Sequence, residues 1–190
     1  MITLNLKPLI VLNSEHFLQI CASNPDTKLE LSSEGDLVIM SPTGGESGIR
    51  NNKLTVRVGI WTEQDGTGVS FDSSTMFQLP NGAFRSPDAA WIELSSWNAL
   101  SKSDKQGFPP ICPDFVVELR SQSDTLKSLQ NKMQEYMNNG AKLGWLIDPF
   151  HKRVEIYRRG QPKEVLINPS ELSGENILPN FVLFLQGILD

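Results

Sequence analysis

Phe115-Val116-Val117-Glu118-Leu119 is followed by a helical stretch over 125–139 and then by Gly140-Ala141-Lys142-Leu143-Gly144-Trp145-Leu146-Ile147. The first run is short, β-branched and aromatic, and it begins just after Pro113, which suits a buried strand. In the second, Leu126, Leu129, Met133, Tyr136 and Met137 recur at helical spacing and form one apolar stripe. The residues at 121–124 supply N-cap candidates, and Gly140 suits a left-handed cap at the far end. The third run is again apolar and stops at Asp148-Pro149. A helix with one apolar stripe, following a buried strand, packs back across the sheet.

Working outward, Val154-Glu155-Ile156-Tyr157 alternates and predicts a half-exposed strand paired with 143–147. Late strands are expected at 164–167 and 181–184. Upstream, Leu29-Glu30-Leu31 and Leu37-Val38-Ile39-Met40 flank a polar stretch containing Gly35, the pattern of a hairpin. Ser41-Pro42-Thr43-Gly44-Gly45 is a turn-rich stop, and 46–64 reads as a helix although Ile49, Leu54, Val56, Val58, Ile60 and Trp61 do not share one face. Short strands are expected at 69–71, 76–78 and 88–92, a short helix at 94–100 and a polar loop over 101–110. The order of strands, helix, strands, helix, strands predicts an α/β fold with a central mixed sheet flanked by helices and an N-terminal β-hairpin extension. One domain is expected over 1–190, with an arm and hairpin over 1–43, a core over 44–160 and C-terminal strands over 161–190.

Composition narrows the function classes. Of 190 residues, 39% are hydrophobic and 21% charged, ordinary values for a globular chain. No apolar run reaches the length a membrane helix needs, and 1–12 lacks a charged region followed by a long apolar stretch, so neither a membrane partner nor a signal peptide is expected. Cys21 and Cys112 are far apart and lack metal-ligand spacing, which suits two free thiols in the cytoplasm. The net charge of -5 argues against a strong nonspecific nucleic-acid binder, while leaving room for an enzyme that gathers acids around a metal. No Gly-rich phosphate loop, Ser-His-Asp order or zinc spacing occurs, and His16 and His151 have no partner pattern. Lys152, Arg153, Arg158, Arg159 and Lys163 form a basic cluster that suits either a nucleic-acid backbone or a plain solvated hairpin.

Three acids and a lysine draw attention by context. Asp88 follows Ser86-Pro87 at the start of a strand, Glu118 interrupts an apolar one, and Glu46 opens a helix. A carboxylate inside Val-Val-x-Leu is costly to bury unless a partner or a cation compensates it. Hard divalent cations take oxygen ligands, commonly one or two carboxylates with water and phosphate. Plainer readings exist for each: a turn cap for Asp88, pairing with Arg120 for Glu118, and a favourable helix-terminus charge for Glu46. Lys132, at the edge of the helical stripe, either snorkels to water or comes level with Glu118, about two turns along the helix.

In order along the chain, Ser86-Pro87-Asp88-Ala89-Ala90-Trp91-Ile92, Pro113-Asp114-Phe115-Val116-Val117-Glu118-Leu119, Lys132-Met133-Gln134-Glu135-Tyr136 and Gly140 to Pro149 resemble the Uma family of restriction endonuclease-like proteins, within the PD-(D/E)XK nuclease superfamily. The resemblance covers most of the chain. It implies a restriction endonuclease-like core and a metal-dependent endonuclease acting on phosphodiester bonds, with DNA as substrate and a homodimer as the assembly. By matching position it implies Asp88 and Glu118 as ligands of Mg²⁺ or Mn²⁺, with the Leu119 carbonyl facing the metal and Glu46 completing its shell. The superfamily pattern places lysine two residues after the second acid, where this chain has Arg120, which neither deprotonates nor matches a lysine in shape. The resemblance implies that Lys132 takes over that role from the following helix. Two other readings remain open: a catalytically silent module that binds nucleic acid or protein, and a hydrolase of small phosphoesters.

Overall fold

The β-α-β stretch around Glu118 forms as expected in a computed structural model that describes residues 2–190. Met1, the first residue of the expected N-terminal arm, lies outside the described residues. In chain order the elements are β1 (Ile2–Leu4), α1 (Ser14–Ser23), β2 (Leu29–Leu31), β3 (Leu37–Ile39), α2 (Gly45–Asp65), β4 (Gly68–Asp72), β5 (Phe77–Gln78), β6 (Phe84–Arg85) and β7 (Ala89–Glu93). There follow α3 (Leu94–Ala99), α4 (Lys102–Gln106), β8 (Phe115–Leu119), α5 (Leu126–Asn139), β9 (Leu143–Asp148), β10 (Arg153–Arg158), β11 (Glu164–Ile167), β12 (Glu171–Ser173) and β13 (Val182–Phe184).

The central sheet has the order β11-β10-β9-β8-β7-β4. Its β8–β9 pair is parallel and its other neighbours are antiparallel, so the sheet is mixed. The parallel pair needs a crossover, which α5 supplies. Strand alternation then sorts the side chains. Phe115, Val117 and Leu119 join Leu54 and Val58 of α2 on one face. Val116 joins Leu129, Met133 and Tyr136 of α5 on the other. Each large side chain buried in this way contributes about 1.5–3 kcal/mol.

The expected hairpin is present as β2 and β3, turned at Gly35, whose φ of 83° is in the left-handed region. It belongs to a second, five-stranded sheet, β1-β3-β2-β6-β5, whose last two strands come from beyond residue 44. A packed cluster of Phe17, Leu29, Leu31 and Phe84 holds α1 against this sheet.

Local chemistry explains where the structure differs from expectation. The N-cap of α5 is Thr125, whose side chain accepts from the Ser128 N–H, rather than a residue of 121–124. The loop expected over 101–110 contains α4, because Ser101 and Asp104 close a capping box. In β10 both faces are covered, so the expected half-exposure is replaced by full burial of Val154, Glu155, Ile156 and Tyr157. Glu155 is tolerated there because Gln130, Tyr157, Lys163 and Arg153 all donate to it.

Candidate active site

The antiparallel register of β7 and β8 opposes Ala89 to Val117, and the Asp88 N–H donates to the Val117 carbonyl at 2.9 Å. Asp88 is thereby brought beside the C-terminal end of β8. Its Oδ2 accepts the Leu119 N–H at 2.8 Å, and its Oδ1 accepts from Asn51 Nδ2 of α2 at 3.4 Å. Glu118 lies on the α5 side of the sheet. Its Oε1 accepts from Tyr136 Oη at 3.0 Å and is 2.9 Å from Lys132 Nζ. No hydrogen bond reaches Glu118 Oε2 among the described residues. Lys132 Nζ also donates to Glu30 Oε1 at 2.8 Å and to the Ser86 carbonyl at 3.4 Å.

Charge is crowded here among buried and half-buried groups. Burial raises the Asp88 carboxyl above the ordinary range, against the pull of the Leu119 N–H and Lys132. Burial, with Asp88 and Glu30 adding repulsion, pushes Glu118 up to about 7 even though Lys132 opposes the shift. Burial alone would lower Lys132, but Glu118 and Glu30 hold its ammonium above the usual range. Burial would likewise raise Glu30, yet Lys132 and Arg85 outweigh it and the carboxyl lies below its ordinary range. Asp88 and Glu118 are thus two undercompensated carboxylates, while Glu30 is firmly ionised.

Both acids line a cleft of about 520 Å³ that also holds Lys28, Asn51, Ser86 and Leu119. Asn51 Oδ1 and Ser86 Oγ are buried there without a hydrogen-bond partner. Among the described residues, no group of three His, Cys, Asp or Glu is arranged to hold a metal ion. A divalent cation here would therefore draw on two carboxylates, neutral oxygens and water, a donor set that suits Mg²⁺ or Mn²⁺. The unpartnered oxygens and the two raised carboxylates fit such an ion.

The structure brings Asp88, Glu118, Leu119 and Lys132 together. The Leu119 contact that it shows is the N–H on Asp88. Glu46 is apart from them: its side chain is 87% exposed, with Arg50 at 3.7 Å. Helical period explains this. Ser47 and Asn51 line the cleft, and Leu54 and Val58 continue the same face into the core, so Glu46 is one residue off the inward row. Arg120 does not pair with Glu118; it reaches Asp148 Oδ2 at 2.9 Å and His151 Nδ1 at 3.1 Å. His16 and His151 are exposed. In the basic cluster, Arg153 and Lys163 pair with Glu155, and Arg158 pairs with Glu164 and Glu175.

Sequence reasoning passed over Glu30, Arg85, Tyr136 and Asn51. Glu30 carried the same signal as Glu118, an acid between apolar neighbours in a strand. Tyr136 enters the sequence reading as part of the apolar stripe and of one family motif, without a role at the site, although its hydroxyl reaches Glu118.

The family model described as "Uma2: Putative restriction endonuclease" matches residues 14–186. No curated protein matches the chain. Among solved structures, a protein of Anabaena variabilis described as "a putative nuclease belonging to DUF820" superposes with a TM-score of 0.78, covering 94% of this chain and 97% of its own, at 17% identity. At that identity the likeness establishes the shared fold.

Proposed function

Since this chain belongs to the Uma2 family of restriction endonuclease-like proteins, we propose that it is an endonuclease that hydrolyses phosphodiester bonds in DNA with Mg²⁺ or Mn²⁺ held by Asp88 and Glu118. Family and fold together support a nuclease. The observation that carries the finer reading is the pair of undercompensated carboxylates on one open cleft, Asp88 half-buried and Glu118 buried, with an ammonium 2.9 Å from Glu118.

Asp88 Oδ1 and Glu118 Oε2 are the carboxylate oxygens least engaged by the protein, and the Leu119 carbonyl and Asn51 Oδ1 are the neutral oxygens that would join them. When bound, the cation supplies an acidified water and positive charge for the scissile phosphate. Lys132 holds a permanent positive charge at the same carboxylate and stabilises negative charge that grows on the phosphate. The Leu119 N–H holds Asp88 Oδ2, leaving Oδ1 with only the 3.4 Å contact from Asn51. In this reading Asn51 faces the acids from α2, the role expected of Glu46. The residues from 1 to 190 act as one nuclease-like domain, and a homodimer would let two such clefts meet the two strands of a duplex. A cytoplasmic setting, expected from the free thiols, goes with this reading.

Cleavage of supercoiled and single-stranded DNA with Mg²⁺ or Mn²⁺ tests the proposal, alongside Asp88→Ala, Glu118→Ala and Lys132→Ala and calorimetric Mn²⁺ binding. Cleavage should require the cation and fall about 100-fold or more in each variant. Activity that survives Asp88→Ala would place the chemistry elsewhere. Absence of both cleavage and Mn²⁺ binding would favour a silent binding module, and turnover of nucleotides but not DNA would favour a small-phosphoester hydrolase.

A further inference from the structure

Lys132 is shared between two carboxylates. Its Nζ is 2.9 Å from Glu118 Oε1 and 2.8 Å from Glu30 Oε1. Glu118 is also the residue that a cation would claim, and a carboxylate engaged by a divalent ion is a weaker partner for an ammonium beside it. Glu30 has no such second claim. It is 1% exposed on β2, and Arg85 of β6 lies 3.3 Å from its Oε2. Arg85 is held in turn by Glu135, one helical turn from Lys132 on α5, at 2.5 Å. Glu30 Oε1 also accepts the Ser86 N–H at 2.8 Å, two residues before Asp88. The second sheet therefore supplies the fixed end of a buried chain of alternating charges: Glu118, Lys132, Glu30, Arg85, Glu135.

We propose that Glu30 is a positioning residue that anchors Lys132, so that Glu118 is free to turn to the cation while the ammonium stays in place. The inference rests on the proposed nuclease reading, and it concerns a residue of the N-terminal hairpin that, among the described residues, is linked to the cleft's acids by hydrogen bonds through Lys132 and Ser86.

The test compares Glu30→Gln, Glu118→Gln, Lys132→Met and the double variant Glu30→Gln/Lys132→Met in the full chain. The first readout is the lysine Nζ signal in nitrogen-15 NMR of metal-free protein, where a buried, ion-paired ammonium exchanges its protons slowly. That signal should persist in Glu118→Gln and disappear in Glu30→Gln. The second is turnover with Mn²⁺: Glu30→Gln should lower kcat about tenfold with KM for DNA unchanged, and should add nothing in the Lys132→Met background. The double variant leaves no buried ammonium unpaired, so it remains informative if Glu30→Gln alone misfolds. A slow Nζ signal kept in Glu30→Gln but lost in Glu118→Gln, or a further fall in the double variant, would overturn the inference. Wild-type protein that shows the signal yet cleaves nothing would sink the nuclease reading while leaving the anchoring of Lys132 supported.

Discussion

Glu118 combines three roles that the physics of burial sets against one another: strand residue, partner of Lys132, and candidate ligand. In an unfolded chain its carboxyl titrates near about 4.3, and in the folded protein it is pushed up to about 7, chiefly by burial. Folding therefore takes up a proton between those values. The contribution of this group to stability is complete below the unfolded value and is lost as pH rises through the folded one. Asp88 is shifted in the same direction, also by burial. Glu30, Asp148 and Glu155 are shifted down, so their contributions fade only as pH falls below the ordinary carboxylate range. The trends separate cleanly above about pH 5. In EDTA, the wild-type Tm should drop between about pH 5 and pH 8, and Glu118→Gln should flatten that slope. Mn²⁺ should raise the wild-type Tm more at the upper end of this range, where the carboxylates are ionised. A metal-free Tm that is level across the range in wild type would contradict the burial of an undercompensated Glu118. Arg120 shows the complementary case. Sequence position alone made it a rival for Glu118, but its guanidinium is committed to Asp148, which is itself buried beside His151. The cation next to Glu118 is decided by which helix packs over β8, not by which residue follows it along the strand.

That packing is an element-scale property, and Gly144 governs it. A Cβ at this position of β9 would be 2.4 Å from Met133 Cε, 3.1 Å from Met137 Cε and 3.2 Å from Val116 Cγ2. The missing side chain lets α5 lie close on the β8–β9 pair, and Met133 adjoins Lys132 in sequence. Gly144→Val should cost about 1–3 kcal/mol in urea unfolding through overpacking, and it should lower cleavage by moving Lys132 away from Glu118. Gly144→Ala should cost less, since the Met133 terminus can shift. Equal stability of wild type and Gly144→Val would mean that the helix does not rest on this glycine. The same element scale shows what the sequence made legible. β8 and β9 are readable as short apolar, β-rich runs and α5 as a helical stripe, and Glu118 and Lys132 lie on two of these elements. The five-stranded sheet is not readable, because β5 and β6 are two residues each and join the hairpin only where β6 pairs with β2, far back along the chain. Glu30 shares the acid-in-strand pattern of Glu118, but in a three-residue strand that pattern looks like hairpin surface until the opposing helix is placed over it. On α2 the helix is legible, yet its mixed apolar residues conceal which row points inward, so Glu46 is singled out as the acid that opens the helix while Asn51 goes unnoticed.

At the scale of the whole molecule, about half of the basic side chains are spent on ion pairs within the protein. Arg85, Arg120, Lys142, Arg153, Arg158 and Lys163 all form ion pairs with its own carboxylates, and the net charge is -5. The basic cluster of the C-terminal hairpin is thereby mostly a structural network around Glu155, Glu164 and Glu175. Lys28 differs: it lines the cleft and forms no ion pair among the described residues, its ammonium donating to the Ser73 carbonyl at 2.5 Å. A surface of this kind neutralises few phosphates. Each phosphate contact on duplex DNA adds about -0.9 to the slope of log K against log salt concentration. The slope for this protein, measured by fluorescence anisotropy between about 50 and 200 mM salt in Ca²⁺ or EDTA, should therefore fall at about -1 to -3. Lys28→Ala should make it shallower by about 1, whereas Arg158→Ala should lower stability with little effect on the slope. A slope steeper than about -6 would require an extended basic surface. That outcome would overturn the limited phosphate neutralisation expected here and would point to the basic side chains outside the cleft, or to cations from more than one copy, tracking the same duplex.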